Sequence, residues 1–125
     1  MKFKHLQAFL CLLLLSFFAG AQTHTAKTNI TTCSMSNGYY EYLPPGYWDN
    51  AAETFPLIIF ISGAAQCGNG SPDELGRVLV HGPASFITAG TWPASFTVNN
   101  QTYKPIVITP QFIHQPGAAV FNDFL

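Results

Sequence analysis

Charged side chains are scarce in this chain of 125 residues, since Asp, Glu, Lys and Arg together make up 9% of it. Five basic residues stand against six acidic ones, so the formal net charge is −1 and the chain has no basic stripe. A protein that neutralises phosphates needs clustered Lys and Arg, and we therefore expect no nucleic-acid partner. Neutral polar residues, mainly Thr, Asn, Ser and Gln, suit an extracellular surface.

Cysteine is also rare, with three in the whole chain. Cys11 lies in an apolar run near the N-terminus, which leaves Cys33 and Cys67 for the rest of the protein. These two can form one disulfide in an exported protein or remain free thiols, and the sequence leaves both alternatives open.

Motifs for cofactors and metals are absent from the sequence. The glycines between positions 63 and 70 lack the Lys and Ser or Thr that a phosphate-binding loop requires. The histidines are isolated, and no cysteine or carboxylate pair has the spacing of metal ligands. We therefore predict no cofactor and no bound metal.

The first residues have the pattern of an export signal. Lys2 and Lys4 precede an apolar run over 6–18, and the small residues at 19–21 fit a cleavage site. The pattern predicts a secretory signal peptide over 1–21, with the mature chain starting at Gln22. The run is short for a membrane span, so we expect a secreted or periplasmic protein with no membrane partner after cleavage.

The remaining chain divides into a lead-in and a domain. Residues 22–37 are polar and Thr-rich without apolar periodicity, which predicts a flexible segment. An aromatic strand is expected over 39–43. The runs 57–61 and 106–109 show no polar alternation, which predicts two parallel core strands buried on both faces. Strands separated by short helices indicate an α/β fold for residues 38–125.

Shorter elements complete the expected order. Pro72 begins a short helix, and a further helical turn is expected over 84–89. Asn99 and Asn100 predict a hairpin turn between two short strands. The apolar residues over 118–125 predict the start of a helix. Because so few elements cannot cover both faces of a sheet, we interpret residues 38–125 as the truncated N-terminal part of a larger domain.

The same residues resemble a known family. YEYLPPGY, PLIIFISGAAQCGNG, HGPASFITAG and KPIVITPQF, in that order, resemble the N-terminal half of secreted α/β-hydrolase esterases and predicted peptidases related to polyhydroxybutyrate depolymerases and feruloyl esterases. The resemblance covers residues 38–112. It implies an incomplete α/β-hydrolase-like sheet with only the N-terminal strands and first helices. It also implies that Gly63, Ala64 and Ala65 form an oxyanion-hole loop, with Ser62 where the family has His.

The nucleophile of such an enzyme is missing from the sequence. No serine lies in the elbow motif G-x-S-x-G, so no catalytic residue is assigned. The resemblance therefore implies a fragment of a secreted serine hydrolase that is inactive alone and would act, if completed, on a small-molecule or polymer ester or on an amide.

Two alternatives to the hydrolase stay open. The first is a secreted, non-catalytic carbohydrate-binding module in which Tyr39, Tyr47, Trp48 and Trp92 stack on sugar rings. The second is a degenerate reading frame without a function of its own.

Overall fold

The structure, a computed structural model, describes residues 21–125, so the predicted signal peptide lies outside the described residues except for Ala21. The strands are β1 (Thr23–Cys33), β2 (Ser36–Leu43), β3 (Leu57–Ile59), β4 (Phe96–Val98), β5 (Gln101–Tyr103) and β6 (Ile106–Phe112). The α-helices are α1 (Pro72–Leu75), α2 (Gly82–Thr88) and α3 (Ala118–Phe124), and 3₁₀ turns cover Ala64–Gln66 and Gly76–Val80.

A four-stranded mixed sheet in the order β1-β2-β6-β3 organises the described residues. Strand β2 is antiparallel to both β1 and β6, whereas β3 runs parallel to β6 with Ile58 opposite Val107. The predicted parallel pair is therefore confirmed. The fold class is mixed α/β, as predicted, although strands outweigh helix.

The core of this sheet lies under helix α2. Tyr42, Val107 and Ile58 are aligned across β2, β6 and β3, and Ile87 of α2 packs against them together with Trp92. Because neighbouring strands place these side chains on one face, α2 covers that face and removes their apolar surface from water.

The segment 22–37 corrects the prediction of a flexible lead-in, because most of it is strand β1. A strand at a sheet edge has one paired side and needs no continuous apolar run, so its polar sequence concealed it. Threonine also favours strands through its branched Cβ. Contacts with β2 hold β1 in place: Lys27 forms an ion pair with Glu41 at 3.2 Å, and the rings of His24 and Tyr40 lie 5.0 Å apart.

Strand β3 corrects a second expectation. It is three residues long and lies at the edge of the sheet, where Leu57 is 56% exposed. Pairing with β6 continues for one more residue, since the Phe60 N–H donates to the Ile108 carbonyl at 2.9 Å. The apolar run therefore predicted the strand and its partner correctly. The expected burial on both faces was wrong for this run, because none of the residues 57–61 is fully buried.

The predicted hairpin is confirmed as β4 and β5. Asn99 and Asn100 have φ angles of 51° and 63°, both in the left-handed region that two-residue hairpin turns require and that asparagine tolerates. The helices predicted from Pro72, over 84–89 and over 118–125 correspond to α1, α2 and α3 with small shifts in their ends.

Candidate functional site

The glycine-containing loop begins where β3 ends. Gly63 is extended, with φ −69° and ψ 171°, and the chain then turns through Ala64–Gln66. The N–H of Gln66 donates to the Gly63 carbonyl at 3.0 Å, and the N–H of Cys67 donates to the Ala64 carbonyl at 3.2 Å. Among hydrogen bonds between described residues, none uses the N–H groups of Ala64 or Ala65, and both residues are exposed. These two donors are available to an oxygen atom of a ligand.

The loop is fixed to the sheet at two glycines. The N–H of Gly68 donates to the Phe112 carbonyl at 2.9 Å, and the Gly70 carbonyl accepts from the Asn29 N–H at 3.1 Å. Gly70 has a φ of 75°, and a Cβ at this position would overlap the backbone of Asn37. Only glycine at position 70 lets the loop approach β2 this closely, so this glycine fixes the position of the loop against the sheet.

Charged side chains close the far end of the loop. Glu74 accepts from the Asn69 N–H at 2.8 Å, and Arg77 donates both to the Cys67 carbonyl and to Glu74 at 3.0 Å. These groups lie at the surface, where such contacts contribute little stability each. They give the loop a defined path into helix α1.

A small hollow lies on the inner side of the loop. It is lined by Ser62, Gly63, Gln66, Cys67, Pro110, Phe112 and Pro116 and has about 10 Å³ for the centre of a water-sized group. That space accommodates about one water molecule. The Ser62 hydroxyl is buried and has no hydrogen-bond partner among the described residues, so the hollow suits one oxygen atom rather than a substrate chain.

A catalytic triad is not assembled in the part of the chain that the structure describes. No hydrogen bond there joins Ser62 to a histidine, and His81 and His114 are exposed. His24 is half-buried on β1, 3.5 Å from the Thr88 hydroxyl, and burial lowers the pKa of its imidazole. Ser62 therefore lacks the general base that a nucleophilic serine requires.

The two cysteines are free thiols. Cys33 and Cys67 are both partly buried, and the structure contains no bond between them. Of the two alternatives that the sequence left open, the structure has the unpaired one.

The four aromatic residues of the carbohydrate alternative do not form one surface. Trp92 packs on Tyr42 and Phe96, with ring centroids 6.5 and 5.1 Å away, while Tyr39 lines a groove on the opposite face of the sheet. Only Tyr47 and Trp48 stay together.

The Tyr47 and Trp48 pair is supported and open to solvent. The two rings meet edge to face at 4.7 Å, and Trp48 is 80% exposed. Phe55 supports Tyr47 at 5.1 Å, and a shallow hollow beside them is also lined by Asn50 and Glu53.

Residues 21–125 contain no group of three His, Cys, Asp or Glu side chains that could hold a metal ion. Over the same range, none of the helices has the length and apolar character that crossing a membrane demands.

Sequence reasoning missed Gln66 and Gln111, the buried glutamines under the loop. The available signal for Gln111 was a polar residue directly after the apolar run of β6, at the end of the strand where parallel sheets place their sites.

Comparison of the chain with protein-family models gives no match, and comparison with curated proteins gives none either. The function proposed below therefore depends on the geometry and on the residues.

Proposed function

We propose that this chain supplies the first sheet strands and the oxyanion-hole loop of a secreted serine hydrolase that acts on ester or amide bonds. The nucleophile, the acid and the histidine base come from further polypeptide. One observation carries the proposal: the turn at Ala64 and Ala65, with two unused N–H groups, lies at the carboxyl ends of the parallel strands β3 and β6. Ligands of α/β sheets bind at that end.

The chemistry of acyl transfer explains the value of such a loop. A tetrahedral intermediate carries negative charge on one oxygen, and fixed N–H groups stabilise this charge without reorganising. Removing one such donor raises the barrier by about 3 kcal/mol in serine hydrolases. The loop is anchored through Gly68 and Gly70, so its donors are held before a substrate arrives.

The open side of the sheet supports the need for further polypeptide. The outer edge of β3 is unpaired within the described residues, and Leu57 and Ile59 face a groove of about 280 Å³. The groove is also lined by Thr32, Tyr39, Ile108, Phe124 and Leu125. An unpaired edge beside apolar side chains is a surface on which another strand adds readily.

Reading the coding DNA through and beyond the Leu125 codon tests this proposal. We expect an open frame that continues into G-x-S-x-G, followed by an acidic residue and then a histidine. The protein from that frame should hydrolyse short-chain aryl esters, and the activity should disappear when the elbow serine is replaced by alanine. A frame without the elbow contradicts the proposal, as does ester turnover by residues 22–125 alone that is lost in Ser62→Ala.

Trp48 favours a second candidate function, the binding of a sugar ring. An indole that is 80% exposed and held edge to face by Tyr47 offers a fixed flat surface, with Asn50 and Glu53 at its side. Polysaccharide pull-down of residues 22–125 tests this function. Binding should be lost in Trp48→Ala and kept in Phe86→Ala, which removes another exposed aromatic ring. Equal binding by both variants contradicts it.

A further inference from the structure

Gln111 is the second-last residue of strand β6, lies beneath the loop and is completely buried. Its side-chain nitrogen donates to the carbonyls of Gln66 and Glu74 at 3.0 and 2.8 Å. Its side-chain oxygen accepts from the N–H of Gly70 at 3.0 Å. One amide group therefore contacts the turn at Gln66, the loop at Gly70 and helix α1 at Glu74.

The chemistry of this position demands an amide. Two donors and one acceptor are needed at this position, which glutamine supplies and a carboxylate cannot. An ionised glutamate in place of Gln111 would direct an oxygen at two carbonyl oxygens. An apolar residue would leave the Gln66 carbonyl and the Gly70 N–H without partners, while the Glu74 carbonyl would keep the N–H of Gly76. Gly68 matches this arrangement, because a Cβ there would lie 2.7 Å from the Gln111 side-chain nitrogen.

We infer that Gln111 is a positioning residue that sets where the N–H groups of Ala64 and Ala65 lie. The inference depends on the proposed oxyanion-hole function of the loop. Gln66 closes the turn that begins at Gly63, through its own N–H, and its carbonyl is held by Gln111. The orientation of the turn therefore follows from a side chain that no substrate touches.

Amide NMR of residues 22–125 tests the inference, with Gln111→Leu and Gln111→Glu compared with the parent chain. In Gln111→Leu, the protection factors of Gly68 and Gly70 should fall about tenfold or more, because each lost buried hydrogen bond exposes the loop to opening. The amide chemical shifts of Ala64 and Ala65 should change. The protection factors in the β1 and β2 pair should stay within about threefold of those in the parent chain.

The Gln111→Glu variant gives a readout that simple loss of packing would not produce. A protonated carboxyl group can donate to one of the two carbonyls, whereas the carboxylate donates to neither. Protection of the loop should return as the pH falls, with a midpoint above the usual Glu range of about 4.3, because burial disfavours the charged form. If Gln111→Leu does not fold, the pH dependence of loop protection in Gln111→Glu tests the inference in its place.

Gln115→Glu is the matched control, since it makes the same change at an exposed position. It should change neither the chemical shifts nor the protection factors of the loop amides. The inference is overturned if Gln111→Leu lowers the protection factors equally in the loop and in the β1 and β2 pair. It is also overturned if the amide chemical shifts of Ala64 and Ala65 do not change. Loop protection in Gln111→Glu that does not depend on pH also overturns it.

Kinetics of the completed hydrolase add the second readout. Gln111→Leu should lower kcat about tenfold or more with KM nearly unchanged, since a displaced donor affects the transition state rather than binding. A rise in KM alone overturns the positioning role. Failure of the hydrolase proposal would be seen separately, as a complete lack of ester turnover in the parent protein, and would not alter the NMR results.

Discussion

Gly70 shows how a single residue fixes the loop against the sheet. Its φ of 75° lies in the left-handed region, and the space where a Cβ would stand is filled by the backbone of Asn37 and Gly38. Both conditions select glycine, one through strain and the other through close approach. The sequence shows the glycines of this loop. It could not predict the contact with Gly38, because that contact joins segments far apart in the chain.

A matched pair of glycine substitutions separates the two conditions at Gly70. Gly90 has a φ of 70° and no neighbouring atom within 4 Å of an added Cβ. Gly90→Ala should therefore lower the free energy of unfolding by the strain alone, about 1 to 2 kcal/mol. Gly70→Ala should lower it by about 1 to 3 kcal/mol more, because overpacking adds to the strain. Urea unfolding of both variants measures the difference, and equal losses would contradict the close approach.

Gln111 shows what sequence reasoning could not reach at the scale of residues. Its place after the apolar run 106–109 indicates a site residue, but an isolated glutamine has no pattern that indicates burial. Its three partners, Gln66, Gly70 and Glu74, become visible only when β6 and the loop are placed together. The glycines, by contrast, were visible in the sequence because backbone freedom belongs to the residue itself.

Strand β1 illustrates the limits of prediction at the scale of elements. The apolar runs at 57–61 and 106–109 predicted β3, β6 and their parallel pairing, because burial leaves a direct mark on composition. The polar segment 22–37 carried no such mark. Its strand is specified by pairing with the next strand, β2, including the ion pair of Lys27 with Glu41, and such cross-strand contacts leave no apolar pattern in the segment itself.

The contact of β1 with helix α2 predicts a pH dependence of stability. His24 lies between the Tyr40 ring and the Thr88 hydroxyl, and burial lowers the pKa of its imidazole below the usual value of 6.5. The unfolded chain then binds a proton more readily than the folded one. This stabilising contribution is fully present above about pH 6.5 and is lost as the pH falls through the unfolded and then the folded pKa.

Urea unfolding between about pH 5 and pH 8 measures this dependence. The free energy of unfolding should fall as the medium becomes more acidic, and His24→Phe should flatten the fall. His114→Gln removes an exposed histidine and is the matched control, in which the fall should persist. A parent chain and a His24→Phe variant with the same slope would show that His24 is not the titrating group.

Within residues 21–125, the main feature is a sheet with one face covered by helix α2 and with an unpaired edge at β3. Helix α2 and Trp92 cover the face with Tyr42 and Val107, while Leu57 and Ile59 of β3 remain beside an open groove. The mixed α/β class was predictable from the order of runs and turns. The edge position of β3 was not, since an apolar run specifies burial without specifying which polypeptide provides it.

This open edge predicts self-association of the isolated chain. Residues 22–125 should form dimers or larger species at micromolar concentrations, because the unpaired β3 edge and Leu57 offer a site for another strand. Leu57→Lys should shift the equilibrium toward monomer, since a charge at the edge opposes pairing. Sedimentation velocity measures the species present.

Val98→Lys is the control for the edge prediction. Val98 is 55% exposed, against 56% for Leu57, and lies in the separate β4 and β5 hairpin. This variant should associate like the parent chain. A parent chain that stays monomeric, or two variants that behave alike, would contradict the role of the β3 edge.

The proposed function depends on the backbone N–H groups of Ala64 and Ala65 as part of an oxyanion hole. Proline removes an N–H, and position 64 accepts it because the preceding Gly63 is already extended. The most direct test is the kcat for aryl-ester hydrolysis by the completed enzyme that carries Ala64→Pro or Ala65→Pro, with the corresponding serine variants as controls that keep the N–H. We predict that kcat falls about a hundredfold or more in at least one proline variant, whereas both serine variants keep the kcat of the parent enzyme. Full kcat in both proline variants would contradict the claim.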